Sequence, residues 1–229
     1  MKNVKIILQN KGGVGKSFLS ALVLKKKIES EANFVLVDID SGNRSNIKRF
    51  KGTDFSKHIV EFSLIKGETI EKGLFSALFE QFAKLEKDEF ILDLGGNESR
   101  ELITLFKSIG IEDVVEFFND LELNVELLVV MRVNDKDCYD FYSTVNNVVE
   151  NKISTSAMIN GNSFDDVNDP TFVNLKKTLE KDGTTVKPFG TIPTGEPRTR
   201  ISNFIGTGFS SNLGMFKGMF KRQYTDLEV

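Results

Sequence analysis

Residues suited to holding phosphate lie near the start of the chain. The apolar run Val4–Leu8 is followed by Lys11-Gly-Gly-Val-Gly-Lys16-Ser17 and then by a helical pattern. Glycines in such a loop let successive backbone N–H groups point at one anion, and the N-terminus of the next helix adds a positive dipole. Lys16 is then expected to contact the terminal phosphates, and the Ser17 hydroxyl to ligate Mg²⁺. The pattern therefore predicts a P-loop rather than a simple glycine-rich turn.

One position departs from the general P-loop pattern G-x-x-x-x-G-K-[ST]. The pattern places glycine at position 10, where this chain has Asn10. Asparagine tolerates a left-handed backbone better than most non-glycine residues, so the turn is expected to form despite the substitution.

Aspartates mark the ends of two further apolar runs. The segment Phe34-Val-Leu-Val-Asp38-Ile-Asp40 ends one run, and Asp93 lies near the end of the run Phe90–Leu94. Residues at i and i+2 of a strand point to the same side, which favours a shared task for Asp38 and Asp40. The alternative is that each aspartate is simply a polar residue at a strand end.

Short apolar runs alternate with longer amphipathic stretches along the chain, which is typical of a parallel sheet covered by helices. The predicted fold is α/β: a doubly wound, mostly parallel sheet with helices on both faces, whose ligands bind at the carboxyl ends of the strands. The predicted strands are Val4–Leu8, Phe34–Asp38, Ile59–Ile65, Phe90–Leu94, Leu127–Val133, Ala157–Ile159 and Val186–Ile192. The predicted helices are Ser17–Ser30, Thr69–Glu86, Ser99–Ser108, Lys136–Asn151 and Pro170–Lys181.

Composition limits the classes of protein that fit. The 229 residues carry a formal net charge of -3 and suit one domain over residues 1–229. With one cysteine, Cys138, and one histidine, His58, an internal disulfide and a cysteine- or histidine-rich metal site are excluded. No signal peptide or membrane-spanning run is evident, so a cytoplasmic protein is expected.

The motifs taken together resemble the ParA/MinD family. Lys11 gives the loop the form of that family's deviant Walker A motif. The run ending in Asp38-Ile-Asp40 resembles the family's second-strand motif, and Phe90-Ile-Leu-Asp-Leu-Gly-Gly96 resembles its Walker B strand and switch. The segment Gly190–Gly195 resembles the late segment near the nucleotide base. Leu94-Gly95-Gly96 lacks the proline that commonly follows the Walker B aspartate, which leaves the geometry of the switch open.

The resemblance implies a P-loop ATPase that uses ATP and Mg²⁺ and forms a homodimer on ATP binding. Lys11 would cross the dimer interface to the partner's nucleotide, where the alternative is an ordinary exposed lysine. Asp40 would orient the attacking water, and Ser17, Asp38 and Asp93 would hold Mg²⁺ directly or through its waters. The nucleotide is expected to contact Gly12, Gly13, Val14, Gly15, Lys16, Ser17, Phe18, Asn160 and Pro193.

Within this family the chain looks most like the plasmid stability and conjugation proteins StbB and TraL. The expected function is an ATP-dependent dimerising switch in plasmid partition, stability or conjugal maintenance. Three alternatives remain open: a MinD-like positioning ATPase on a membrane, an ATP-dependent biosynthetic ligase of the same fold, and a catalytically inactive interaction module.

The C-terminal region 207–229 is a candidate docking segment. Drawn as a helix over 209–222, it places Phe209, Leu213 and Phe216 on one face and lysines opposite. Packing on the domain, peripheral membrane contact and a partner protein all fit such a helix. Non-specific DNA, together with a small DNA-binding adaptor protein, is the other expected partner. The basic residues considered for DNA contact are Arg44, Lys48, Arg49, Lys51, Arg198, Arg200, Lys217, Lys221 and Arg222.

Overall fold

Parallel β-strands form the centre of the molecule. The computed structural model describes residues 1–42, 45–66, 69–163, 168–181 and 183–229. The strands in these ranges are β1 (Lys2–Leu8), β2 (Phe34–Ile39), β3 (Ile59–Glu61), β4 (Ile65–Lys66), β5 (Thr69–Ile70), β6 (Glu89–Leu94), β7 (Leu123–Met131), β8 (Ser154–Asn160) and β9 (Thr185–Phe189). Within the described residues, seven strands pair in parallel in the order β3-β2-β6-β1-β7-β8-β9. The short strands β4 and β5 form a separate antiparallel pair.

Helices connect the strands and cover the sheet. They are α1 (Lys16–Glu29), α2 (Ser45–Phe50), α3 (Gly73–Lys84), α4 (Gly96–Ile109), α5 (Ile111–Asp120), α6 (Lys136–Val149), α7 (Pro170–Lys181), α8 (Glu196–Gly206) and α9 (Lys217–Thr225). Every residue of β6 is buried. Because successive side chains of a strand point to opposite faces, both faces of the sheet must be covered there. The predicted doubly wound α/β fold is confirmed.

The sheet brings the carboxyl ends of three strands together. β6 lies between β2 and β1, so Asp93 is in register with Asp38 on one side and with Ile7 on the other. The strand order reverses direction in this region of the sheet. Strands β2 and β3 lie on one side of the central pair β6 and β1, and strands β7, β8 and β9 lie on the other side. Such a reversal opens a crevice at the carboxyl ends of the strands, where ligands bind in open α/β sheets.

Several predicted element boundaries are wrong. The predicted helix Thr69–Glu86 begins only at Gly73, because Thr69–Ile70 pairs with β4. The predicted strand Ile59–Ile65 ends at Glu61. Helices α2, α5 and α8 lie outside the predicted elements, although Pro197 in the first turn of α8 is a typical start signal.

The predicted C-terminal helix over 209–222 is also wrong in extent. Phe209 has φ 67° and Gly214 has φ 54°, so the backbone leaves the right-handed helical region at both residues. Helix α9 begins at Lys217 and buries Phe220 and Tyr224. Of the alternatives for this region, the structure has most of its apolar side chains packed on the body of the domain, with Met215 exposed.

Phenylalanine rings of this C-terminal region pack against phenylalanine rings elsewhere in the domain. Phe209 lies 5.1 Å from Phe50 and 5.0 Å from Phe55, measured between ring centroids. Phe220 lies 5.0 Å from the ring of Phe204 in α8. Among the residues that the structure describes, no helix combines the length and the apolar character needed to cross a membrane.

Candidate phosphate-binding site

The glycine-rich loop joins the end of β1 to the start of α1. Gly13 and Gly15 have φ values of 73° and 113°, a region that L side chains rarely adopt. A Cβ atom at Gly15 would also lie 2.3 Å from Nδ2 of Asn160, so the position has no room for a side chain. Gly15 precedes α1 without a side-chain cap, which leaves the first helical N–H groups open to an anion.

The substitution at position 10 does not disturb this loop. Asn10 is absent from the described residues with positive φ, so its backbone does not require glycine. The preceding residue, Gln9, is fully buried and fixes the start of the loop: Nε2 donates to the carbonyl of Val130 at 2.9 Å, and Oε1 accepts from the Asn10 N–H at 2.9 Å. Sequence reasoning missed Gln9, because its partner on β7 is 121 residues away.

Lys16 folds back over its own loop in this structure. Its Nζ donates to the carbonyl of Gln9 at 3.0 Å and to the carbonyl of Lys11 at 3.2 Å. Burial lowers the pKa of Lys16, opposed by the negative charges of Asp93, Asp40 and Glu98. The lysine is therefore held beside the loop by bonds that phosphate oxygens can replace.

Asp38 and Asp93 form a buried pair of carboxylates below the loop. They are neighbours across β2 and β6, and are only 1% and 2% exposed. Burial and, to a smaller extent, the charge of Asp38 raise the pKa of Asp93 to about 6, although hydrogen bonds from Ser20 and Ser17 and the charge of Lys16 act in the opposite direction. Burial likewise raises the pKa of Asp38.

A divalent cation fits this pair of carboxylates. Asp38 Oδ1 is buried and has no hydrogen-bond partner among the described residues, whereas Oδ2 accepts the backbone N–H groups of Asn46 and Ile47. Mg²⁺ commonly binds one or two carboxylates, completing its shell with water and phosphate oxygens. Within the described ranges no group of three or more His, Cys, Asp and Glu side chains is placed to hold a metal. Any cation here would therefore rely on phosphate and water as well.

Two polar residues that the sequence did not point to complete the floor of the site. The Asn46 amide donates to Asp93 Oδ2 at 2.6 Å and to the Ser20 hydroxyl at 3.0 Å. Ser20 donates to the same aspartate oxygen at 3.0 Å. These bonds tie α1 and α2 to β6.

Asp40 follows the end of β2 and faces the start of α4. Its Oδ1 accepts the backbone N–H of Gly42 at 3.0 Å. The same oxygen lies 3.0 Å from the point where a Cβ on Gly95 would stand. Asp40 and the glycines after β6 are therefore neighbours, as the predicted motifs require.

Lys11 is engaged within its own subunit. Its Nζ lies 2.9 Å from Asp135 Oδ1 and 3.0 Å from Asp137 Oδ2, at the start of α6. Side-chain hydrogen bonds to Asp135 and Asp137 raise the pKa of Lys11, so the group stays charged. The predicted contact with a partner's nucleotide requires these two ion pairs to open.

The remaining predicted nucleotide contacts are Asn160, Phe18 and Pro193, of which Asn160 bonds to the loop. Asn160, at the end of β8, donates to the carbonyl of Val14 at 2.7 Å and so supports the loop itself. The Phe18 ring packs on Gly190, where a Cβ would come within 2.5 Å of it. Pro193 is exposed in the segment before α8.

Part of the predicted basic patch has other partners. Arg49 donates to the carbonyl of Ser17, and Arg198 donates to the carbonyl of Ile192, so both are structural in this chain. Arg200 pairs with Glu196 on the same helix. Arg44 lies outside the described residues. The residues that remain exposed are Lys48, Lys51, Lys217, Lys221 and Arg222.

Known proteins share this fold at low sequence identity. No protein-family model matches the chain. Protein TraL of Escherichia coli is 26% identical over 124 residues, which cover 50% of this chain and 49% of TraL, so the match spans about half of that protein.

Solved structures match over a larger part of the chain. The MinC:MinD cell division complex of Aquifex aeolicus matches with TM-score 0.56 and 13% identity, over 90% of this chain and 86% of that chain. A putative plasmid partition protein of Borrelia burgdorferi bound to AMPPNP gives TM-score 0.52 and 13% identity, over 99% and 100%. Cobyrinic acid a,c-diamide synthase of Mycobacterium smegmatis, with bound ATP analog and magnesium, gives TM-score 0.52 and 13% identity, over 97% and 96%. These matches confirm the predicted ParA/MinD-like P-loop fold, and a biosynthetic enzyme also has it.

Proposed function

We propose that this chain with the ParA/MinD-like fold is an ATP-dependent dimerising switch that hydrolyses ATP to ADP and phosphate. One arrangement carries the proposal: Lys16 and Ser17 of the glycine loop interact with buried Asp93, whose neighbour Asp38 has an oxygen without a hydrogen-bond partner in the described residues. A nucleoside triphosphate with Mg²⁺ supplies an anion for the loop and Lys16 and a cation for the two carboxylates. The resemblance to TraL over about half of that protein, together with the fold shared with a putative plasmid partition protein, supports a role in plasmid partition, stability or conjugal maintenance.

The loop residues and the aspartates at the strand ends have separate roles in this reaction. The backbone N–H groups of residues 12–18 hold the phosphates, and Lys16 exchanges its two carbonyl partners for phosphate oxygens. Ser17, Asp38 and Asp93 would hold Mg²⁺, whose charge would offset the negative charge of the phosphates. Asp40 orients the attacking water from the adjacent loop.

Dimerisation is the step that Lys11 controls. In the single chain its charge is satisfied by Asp135 and Asp137. Reaching the nucleotide of a second copy would exchange these carboxylates for phosphate oxygens, which carry more negative charge. ATP binding thereby favours the dimer, and hydrolysis releases it. The dimer in turn is the form that would engage DNA and a small DNA-binding adaptor protein.

The decisive experiment measures dimerisation and turnover together. Size-exclusion chromatography with light scattering would compare wild type with Asp40→Ala, each with ATP, with ADP and without nucleotide. We expect Asp40→Ala to lose turnover by ~10²-fold or more and to accumulate as an ATP dimer. Asp120→Ala, at an exposed position at the end of α5, is the matched control and should behave as wild type. A wild-type chain that binds no ATP would refute the proposal.

An ATP-dependent biosynthetic ligase is the second candidate, since a synthase shares this fold. A ligase would turn over rapidly only with a small carboxylate or amine acceptor. A switch would turn over slowly alone and accelerate with a macromolecular partner such as DNA plus adaptor, or, for a MinD-like protein, a membrane. Comparing these additions in one ATPase assay separates the candidates.

A further inference from the structure

Glu98 is a buried carboxylate beside the site that none of the roles above uses. It occupies the third position of α4 and is only 2% exposed. Acidic residues are common in the first turn of a helix, where they meet the positive end of the helix dipole. That ordinary role does not require burial, and it does not explain which groups the carboxylate contacts.

The contacts of Glu98 reach across to the loop that follows β2. Its Oε1 accepts the backbone N–H of Ser41 at 3.3 Å and also accepts the Ser41 hydroxyl. Ser41 is 57 residues away in sequence and directly follows Asp40. The carboxylate is thus anchored to the neighbour of the residue proposed to orient water.

The other oxygen of Glu98 faces the glycines after β6. A Cβ atom on Gly95 would lie 2.2 Å from Glu98 Oε2 and 3.0 Å from Asp40 Oδ1. Gly95, Asp40 and Glu98 therefore meet at one point, which leaves no space for a side chain at residue 95. The backbone at Gly95 belongs to the segment that resembles the family's switch, so Asp40 and Glu98 lie directly beside that segment.

Burial of the Glu98 carboxylate costs free energy, because no cation is paired with it in the described part of the chain. Among the described residues no cation forms an ion pair with Glu98, although the charge of Lys16 interacts with it. Burying a carboxylate without a paired cation is unfavourable unless hydrogen bonds compensate. The bonds from Ser41 provide that compensation, so Glu98 and the loop 40–42 hold each other in place.

We propose that Glu98 is a positioning residue for ATP hydrolysis, which holds Asp40 in place through Ser41 and couples it to the backbone of Gly95. This role rests on the proposed ATPase function. Glu98 does not contact the reacting atoms. It holds the loop 40–42 in place, and Asp40 in that loop is the residue proposed to orient the attacking water. A small misplacement of such a group lowers the rate of the chemical step while leaving nucleotide binding intact.

Variants at Glu98 and Ser41 test the proposal. We expect Glu98→Ala to lower kcat by roughly tenfold or more with KM for ATP within about twofold, and to prolong the ATP dimer. Glu98→Gln should recover most of the rate, because the amide oxygen still accepts from Ser41. Ser41→Ala should show an intermediate loss. Glu101→Gln, one turn further along α4 and paired with Lys72, is the control and should match wild type.

A second measurement needs no nucleotide. Hydrogen exchange of the Ser41 and Gly42 amides should accelerate in Glu98→Ala and remain slow in Glu98→Gln. Unchanged exchange, or an unchanged kcat in Glu98→Ala, would overturn the role of Glu98 while the ATPase function stands. If Glu98→Ala and Glu98→Gln lost the same amount of kcat and the same amount of thermal stability, Glu98 would have only a structural role. A wild type without any ATP turnover would instead remove the proposed function and this role with it.

Discussion

Asp137 is a residue at which the proposed dimerisation can be adjusted without changing the phosphate loop. Asp137 is 72% exposed in its side chain and contributes one of the two ion pairs that hold Lys11. Because that pair must open before Lys11 can reach a partner, Asp137→Asn should lower the ATP concentration for half-dimerisation by roughly two- to fivefold. Light scattering during an ATP titration measures this shift.

The neighbouring carboxylate Asp140 supplies the control for this experiment. It lies on the same helix and is exposed, but has no contact with Lys11 among the described residues, so Asp140→Asn should leave the titration unchanged. In a Lys11→Ala background, Asp137→Asn should have no effect. A weaker dimer in Asp137→Asn would show that this carboxylate serves the interface instead of restraining Lys11.

The candidate site residues that the sequence could propose are those that local spacing places next to a strand end or in the glycine loop. The loop with Lys16 and Ser17, and the aspartates ending β2 and β6, follow from neighbours within a few positions. Gln9, Asn46 and Glu98 act through partners that are distant in sequence, such as Ser41 for Glu98. No spacing in one sequence reports such contacts, since they exist only once the strands are aligned.

At the scale of elements, the sheet was more predictable than the helices. Buried parallel strands are continuous apolar runs, which a sequence displays directly. Helix α5 was missed although Ile111, Val114 and Phe118 are buried at helical spacing. Gly110, with φ 99°, separates α5 from α4 and interrupts the pattern. The C-terminal helix was misplaced because glycine conformations, not amphipathic spacing, determine where it begins.

Helix α9 should be an integral part of the fold. Phe220 is 3% exposed and contacts the rings of Phe204 and Tyr224, so Phe220→Ala should lower the free energy of unfolding by about 3–5 kcal/mol. Met215 is 88% exposed, and Met215→Ala should change the free energy of unfolding by less than about 0.5 kcal/mol. Urea unfolding measures both. If Phe220→Ala were as mild as Met215→Ala, α9 would be detached from the body and open to the membrane docking predicted for this region.

For the whole molecule, the distribution of charge offers a surface through which the proposed switch would contact DNA. The chain carries a net charge of -3, yet Lys217, Lys221 and Arg222 lie together on α9, exposed and without ion pairs among the described residues. A single patch of this size on an acidic protein binds DNA phosphates weakly. In the proposed ATP dimer, two patches that face one duplex would bind it more tightly, because the second contact would be intramolecular. DNA affinity should therefore depend on the nucleotide state.

We accordingly expect the ATP-bound Asp40→Ala dimer to bind duplex DNA of arbitrary sequence, and the ADP form to bind it far less. Lys221→Glu with Arg222→Glu should weaken binding and reduce the slope of log affinity against log salt by about 2 for each patch in contact. Lys84→Glu with Lys107→Glu, which makes the same charge change on α3 and α4, is the matched control and should leave the slope intact. Fluorescence anisotropy at several salt concentrations measures all three proteins. Equal losses in both double variants would mean that net charge alone governs binding, and the α9 patch would then have no special part in holding DNA.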